Sequence, residues 1–221
     1  MTGITIAALL IGKVAPFGPQ GRTSAIAKTA VDHPLELGPE GFLTDEQADR
    51  KNHGGPEKAL HHYPLDHHAA WRTELGPEVP HLGTPGAFGE NIATVGLTEA
   101  EVCIGDVFRA GTAVIQVAQG RQPCRTLNHR FGVPDMVKRV QTSGRTGWYY
   151  RVLEPGRVAP GDSLVLADRL HPGWTLARVL HVLYHDTVNR AALAEMAALH
   201  SLAQDWRNLV QRRLDRDAAE D

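Results

Sequence analysis

The chain predicts a mainly β fold with some α structure, a barrel-like domain followed by a small helical one, and three observations lead there. Strand-type runs, Ile4 to Ile11, Ala113 to Ala118, Trp148 to Leu153 and Ser163 to Leu166, are short and broken by glycine and proline turns such as Pro155-Gly156 and Pro160-Gly161. After His171-Pro172-Gly173 the apolar residues shift to helical spacing, with Leu176, Val179, Leu180 and Leu183 on one stripe. The 221 residues, 42% apolar, are enough for one substantial core plus a small unit. The boundary is therefore placed at 171/172, with residues 1–171 as the barrel-like domain and 172–221 as a three-helix domain with a charged tail.

Within the first part, a helix is expected from Pro64, tolerated in a first turn, to Leu75 before Gly76-Pro77. Thr98 with Glu101 has the spacing of a capping box. In the second part, Thr175 to His185 forms the first helix, Asn189 caps the next, and Ser201 with Gln204 has the capping-box spacing for the third. Helices this short need packing partners. Their interface role is a dimer contact, a cover for the site or a docking face for an electron donor, and a homodimer is carried as an expectation. Arg212-Arg213 and Asp215 to Asp221 read as a solvated or frayed end.

Composition excludes several classes. No run of about 18 apolar residues marks a membrane span, and Met1-Thr2-Gly3 lacks the charged start of a signal peptide, so a cytoplasmic location is expected, with no membrane partner. Two cysteines, Cys103 and Cys124, are too few for a disulfide scaffold or for the ligands of an iron-sulfur cluster. Net charge is only −2, yet Gly120 to Arg151 holds seven basic residues against the single acid Asp135. Such a window suits a phosphate or carboxylate, or is a solvated face. Nucleic acid is not expected, because aromatic residues do not alternate with these arginines.

The chemistry-bearing residues centre on Cys124. It follows a strand in Gln122-Pro123-Cys124-Arg125-Thr126, and a thiolate there is both a soft metal ligand and a nucleophile, made more acidic by Arg121 and Arg125. His53-Gly54-Gly55-Pro56 offers a side-chain donor beside glycines that let backbone N–H groups approach an anion, or an ordinary turn. Glu90 and Asn91, in Phe88-Gly89-Glu90-Asn91, can read the edge of a heterocycle or form a local turn. Arg145, flanked by Gly144 and Gly147, suits a phosphate contact or a hairpin. The histidines His61, His62, His67 and His68 lack zinc-ligand spacing and are read as surface or interface residues, and Cys103 as core.

Lys51-Asn52-His53-Gly54-Gly55, Phe88-Gly89-Glu90-Asn91 and Gln122-Pro123-Cys124, in that order, resemble the MOSC (molybdenum cofactor sulfurase C-terminal) domain family. Asp45-Glu46-Gln47-Ala48-Asp49, Gly144-Arg145-Thr146-Gly147-Trp148 and the helical end are similar to its small bacterial YiiM-type branch. The resemblance implies a molybdenum cofactor (molybdopterin) with Cys124 as metal ligand and catalytic residue. It also implies reduction of N-hydroxylated compounds, such as hydroxylaminopurines, to amines, with electrons from a separate flavin or iron-sulfur reductase. His53, Gly54, Gly55, Glu90 and Asn91 then become candidate cofactor- or substrate-binding residues, and Arg121, Arg125, Asn128 and Arg145 candidates for the anionic end of the cofactor. Arg125 directly after the cysteine, and Gly41-Phe42-Leu43 before Asp45, depart from the family pattern and bear on substrate preference. Two other readings share these residues: a cofactor or sulfur carrier without turnover, and a cysteine hydrolase with a nearby histidine as base.

Overall fold

A computed structural model describes residues 3–18, 21–49 and 53–217; Lys51, Asn52 and the last four residues of the expected tail lie outside the described residues. The strands are β1 Ile4–Ile11, β2 Ala15–Pro16, β3 Thr23–Ser24, β4 Thr29–Val31, β5 Leu35–Gly38, β6 Gly41–Phe42 and β7 Leu60–Pro64. They continue as β8 Ile92–Thr94, β9 Asp106–Ala110, β10 Ala113–Gly120, β11 Trp148–Glu154, β12 Gly156–Val158 and β13 Ser163–Arg169. The helices are α1 His67–Leu75, α2 Thr126–Phe131, α3 Met136–Ser143, α4 Leu176–Tyr184, α5 Arg190–Ala197 and α6 Gln204–Asp217.

Seven strands close a barrel in the order β13-β9-β10-β11-β7-β8-β1, because β1 pairs with β8 on one side and with β13 on the other. Among the described residues every barrel strand is thus paired on both sides, and β4 adds to β1 beyond the closed ring. The barrel pairings are antiparallel apart from β7 with β8, which run parallel in the register His62↔Ile92. Parallel neighbours need a crossover, and α1 lies within it. Pro64 is therefore the last residue of a strand, and α1 begins three residues later than its helix-start signal implied. A proline fits at that strand end because the next ladder bond comes from Leu65 N to Thr94 O, 2.9 Å.

One apolar core runs from the barrel into the C-terminal helices: Ile115, Val117 and Trp148 belong to the same cluster as Leu176, Val179, Leu180, Leu202, Trp206 and Val210. Contact is close at Gly120, where a Cβ would fall 2.8 Å from the Trp206 ring and 3.1 Å from Leu180 Cδ2. Thr175 caps α4 by accepting from Arg178 N, and the Asn189 side chain caps α5 by accepting from Ala192 N. The third cap differs from expectation. Ser201 does not cap α6; the Gln204 N–H donates instead to Glu57 Oε2 at 2.7 Å, a carboxylate from the barrel side.

A second cluster, Tyr63, Trp71, Phe88, Leu127, Phe131, Met136 and Val140, fills the space between α1, α2 and α3. Its centre is a Tyr63–Phe88 stack with centroids 3.8 Å apart. The histidines belong to the interior rather than the surface: His61, His62 and His68 are buried. His62 is held between Tyr150 Oη at 3.0 Å and Thr94 Oγ1 at 2.8 Å, and burial lowers its pKa to about 3, so it stays neutral. Among the described residues no group of three or more histidine, cysteine or acidic side chains could hold a metal ion, and no helix is long and apolar enough to cross a membrane.

Candidate active site

Strand β10 delivers the central residues. Its pairing with β11 slips between Val117 and Gln119, so that Val117 faces Tyr150 and Gln119 faces Tyr149. A slip of this kind re-aims the side chains that follow it. It also frees the Ala118 carbonyl, which accepts from Ala203 N at 2.9 Å and ties the strand to the helical unit. Past the strand end, Arg121 N still donates to Gly147 O at 3.0 Å, and Pro123 then carries the chain off the ladder toward Cys124 and α2.

Cys124 and Arg121 line a cavity of about 210 Å³ together with His53, Lys28, Asp45, His61, Phe88, Gly89, Asn91, Thr126 and Tyr149. Ser24, Ala25, Ile26 and residues 46–49 also line it. Burial pushes the Cys124 thiol up, but a hydrogen bond from His53, the Arg121 charge and a hydrogen bond from Thr126 outweigh it and bring the pKa down to about 6. In return, the bond to Cys124 raises His53 above its ordinary value, against burial and with help from Asp49, whose Oδ2 lies 3.4 Å from His53 Nδ1. The shift at Cys124 favours the thiolate near neutral pH, and the shift at His53 favours the protonated ring beside it.

Arg121 is only 4% exposed. It bonds Tyr149, yet its Nε and Nη1 have no hydrogen-bond partner among the described residues. A buried guanidinium with two idle N–H groups carries a desolvation penalty of a few kcal/mol, which a bound acceptor would offset. His61 contributes no charge beside it: burial, then Arg121, hold its pKa well below the usual value.

Asn91 works as scaffold at this wall. Its Oδ1 accepts from His61 N at 3.1 Å, and its Nδ2 donates to Leu10 O at 3.2 Å and to Asp45 Oδ2 at 2.8 Å. Asp45 also accepts from Gly12 N at 2.7 Å and pairs with Lys28, both side chains being under a tenth exposed.

The structure gathers Cys124, Arg121, His53 and Asn91 at one cavity and sets the other candidates elsewhere. Glu90 is buried behind it, accepting from Gly86 N at 2.5 Å and Phe88 N at 3.0 Å, so its carboxylate closes the loop instead of facing a ligand. Gly54 and Gly55 are absent from the lining; Gly55, at φ 87°, leads into a 3-10 turn at Pro56–Lys58. Asn128 is taken up by the start of α3, donating to Pro134 O and accepting from Val137 N. Arg145 lies 3.8 Å over the Trp71 ring and pairs with Glu74 at 2.5 Å, and Arg125 does not line the cavity.

The basic window therefore disperses: Arg130 donates to Gly86 O and Ala87 O, Arg139 pairs with Asp135, and Arg151 pairs with Glu57. Sequence reasoning missed Lys28, Thr126 and Tyr149. Thr126 had a local signal, two residues after the cysteine, whereas Lys28 sits between β3 and β4 with no motif around it.

Residues 49–165 match the MOSC domain family, and residues 174–217 match the YiiM-like, 3-alpha helix domain. The chain is 40% identical over 202 residues to Protein YiiM of Escherichia coli (strain K12), covering 91% of this chain and 89% of that protein. It is 41% identical over 178 residues to a Gibberella moniliformis protein named Reductase, covering 80% of this chain and 31% of that much longer protein. The crystal structure of YiiM from Geobacillus stearothermophilus superposes with a TM-score of 0.81 at 37% identity, covering 96% of this chain and 99% of that one. A closed barrel carrying an acidified cysteine at its mouth, with three helices packed on its side, accordingly belongs to the MOSC domain family, in the branch that carries a YiiM-like three-helix domain.

Proposed function

We propose that this chain is a molybdenum-cofactor-dependent oxidoreductase that reduces N-hydroxylated compounds, such as hydroxylaminopurines, to amines. The observation that carries this reading is the Cys124 thiolate beside a buried Arg121 whose Nε and Nη1 have no partner among the described residues, both in one cavity. The donor set suits a molybdenum–pterin group: a soft anionic sulfur for the metal, and two idle guanidinium N–H groups for the acceptor oxygens or nitrogens of an anionic organic ligand. When bound, the cofactor would supply two-electron redox chemistry that no side chain here can perform.

The chain's own residues then have separable tasks. Cys124 Sγ would hold the metal, and His53 keeps that sulfur anionic by holding a proton against it. Arg121 would anchor the organic part of the cofactor through Nε and Nη1. Ala25, Ile26 and Phe88 provide apolar walls that keep water from the reacting bond. With two cysteines in the chain, and one of them given to the metal, the electrons come from a separate flavin or iron-sulfur reductase. The relative named Reductase supports the oxidoreductase class. A cytoplasmic setting completes the proposal.

Protein made in a host that synthesises the pterin cofactor is expected to hold molybdenum close to one per chain and to reduce an N-hydroxylated purine with an artificial electron donor. Cys124→Ser is expected to lose both properties while keeping its far-ultraviolet circular dichroism. Full molybdenum in Cys124→Ser would overturn the ligand assignment. Molybdenum bound by the wild type with no turnover of any N-hydroxylated substrate would make the protein a cofactor carrier instead.

A further inference from the structure

We propose that Lys28 is the proton donor of this cavity, releasing a proton to the substrate's hydroxyl oxygen as the N–O bond breaks, and that Asp45 positions it. The inference rests on the reductase reading for its substrate. The overall change is R–NHOH plus two electrons and two protons giving R–NH2 and water. The electrons come from the reduced cofactor of that reading. The N–O bond breaks, one proton completes water on the departing oxygen and the other completes the amine. Hydroxide leaves poorly at neutral pH, so the proton for the oxygen needs a positioned acid.

The cavity's own groups narrow the choice. A guanidinium does not serve as an acid in proteins. His61 is buried and neutral, and the Tyr149 hydroxyl is pushed above its ordinary value by burial. The His53 proton is committed to the Cys124 sulfur. Lys58 pairs with Asp205 toward the helical unit. Among the described basic groups of the lining, Lys28 is the one held at the Asn91–Asp45 wall: an ammonium with three protons, whose hydrogen bond goes to Asp45.

The packing around it is that of a fixed donor. A Cβ on Gly12 would fall 3.0 Å from Lys28 Cγ, and one on Gly86 would fall 2.8 Å from Lys28 O, so both backbone and stem are confined. Asp45 is itself pinned by Gly12 N and Asn91 Nδ2. The charged and titratable groups that act on or feel Lys28 are Asp45 from the segment after β6, Glu90 from the loop before β8, and His61 on β7. Burial lowers the Lys28 pKa, while Asp45 and Glu90 oppose that shift, which brings the ammonium toward a range where it can give up a proton. Solvent restores the proton between turnovers, once the product has left the cavity.

Lys28→Arg separates proton donation from charge, because arginine can keep the Asp45 pair and cannot act as an acid. The cofactor-loaded variant is expected to retain its molybdenum and a KM within about twofold of wild type while kcat falls on the order of 10²-fold. The alkaline decline of wild-type kcat, expected as Lys28 loses its proton, should be missing from the residual rate. In Lys28→Ala, added methylammonium is expected to restore part of kcat; this variant decides the matter if Lys28→Arg does not fold. Three results overturn the proposal: undiminished turnover in Lys28→Arg, loss of molybdenum from it (an anchoring role), or no methylammonium rescue in folded Lys28→Ala. A wild type that binds molybdenum but reduces nothing breaks the reductase reading first and is distinguishable from all three.

Discussion

Each of the two cysteines has an arginine nearby, and the two sites show opposite chemistry. At Cys103 the arginine's charge is already matched: Arg169 donates to Asp106 Oδ1 at 2.8 Å through Nε and to Oδ2 at 2.7 Å through Nη2. Asp106, fully buried, also accepts from Cys103 N at 2.9 Å. Burial first, and then the Asp106 charge, raise the Cys103 thiol, with Arg169 only partly opposing them. At Cys124 no carboxylate among the described residues takes the guanidinium, so the His53 bond and the Arg121 field act on the sulfur. Proximity of an arginine therefore says little about a cysteine until the arginine's partners are counted. Arg169 is matched by a buried carboxylate, whereas Arg121 is itself buried and keeps donor nitrogens without an acceptor among the described residues.

The largest expected effect tests that contrast directly. In metal-free protein at neutral pH, iodoacetamide should modify Cys124 at least ~100-fold faster than Cys103, since the thiolate is the reacting form and Cys103 is also inaccessible. The Cys124 rate should climb through about pH 6 and level off above it. Peptide mass spectrometry over a pH series reads both cysteines at once, and comparable labelling of the two would erase the distinction. Stability follows the same group: a thiol whose folded pKa is depressed stabilises the fold above its ordinary pKa, and that contribution is lost as pH falls through about 6.

The arginines provide the next test, in denaturant unfolding of the metal-free protein. Asp106→Ala leaves Arg169 and the Cys103 amide without their acceptor and is expected to cost about 3 kcal/mol, the lower end for a broken buried pair because Arg169 is partly exposed. Arg121→Met removes a buried charge whose Nε and Nη1 lack partners among the described residues, along with its Tyr149 bond, and should change stability by no more than about 1 kcal/mol. A large loss in Arg121→Met would mean that its role is structural after all.

How much of this was legible in the chain depends on the range of the interaction. Local signals carried well: the Ile4–Ile11 strand, the Thr98/Glu101 box, in which Thr98 N and Oγ1 both meet Glu101 Oε2, and the Asn189 cap are all present. The barrel-plus-helices class and the pairing of Cys124 with Arg121 were also readable, because the two residues are three apart on one segment. Adjacent residues with different fates were not. In Phe88-Gly89-Glu90-Asn91 the motif does reach the cavity, but Glu90 turns inward to its own loop's amides while its neighbours line the wall. The short helices α2 and α3 went unforeseen: the glycines Gly132 and Gly144 that end them also read as ordinary turns. Arg145 illustrates the general difficulty, since its partners Trp71 and Glu74 are more than 70 residues away and nothing beside it announces them.

The smallest effect concerns the seam that such long-range contacts build. Glu57 links the 3-10 turn after His53 to the helical unit: Oε1 meets Arg151 Nη2 and Oε2 meets Gln204 N, each at 2.7 Å, while Arg151 Nη1 reaches Ser201 O at 2.9 Å. It supplies to α6 the cap that Ser201 does not. Losing an N-terminal acceptor costs about 1 kcal/mol, and the half-exposed ion pair adds little in water, so Glu57→Ala should lower stability by about 1–2 kcal/mol and the melting temperature by about 2–8 °C. Hydrogen exchange should quicken in the first turn of α6 and in residues 56–58 together, with β9 and β10 unchanged. If only α6 responds, the helices rest on the barrel without bracing the wall of the cavity. A joint response would make the three-helix unit a mechanical part of the site, because the braced turn contains the cavity-lining Lys58 and lies between His53 and His61.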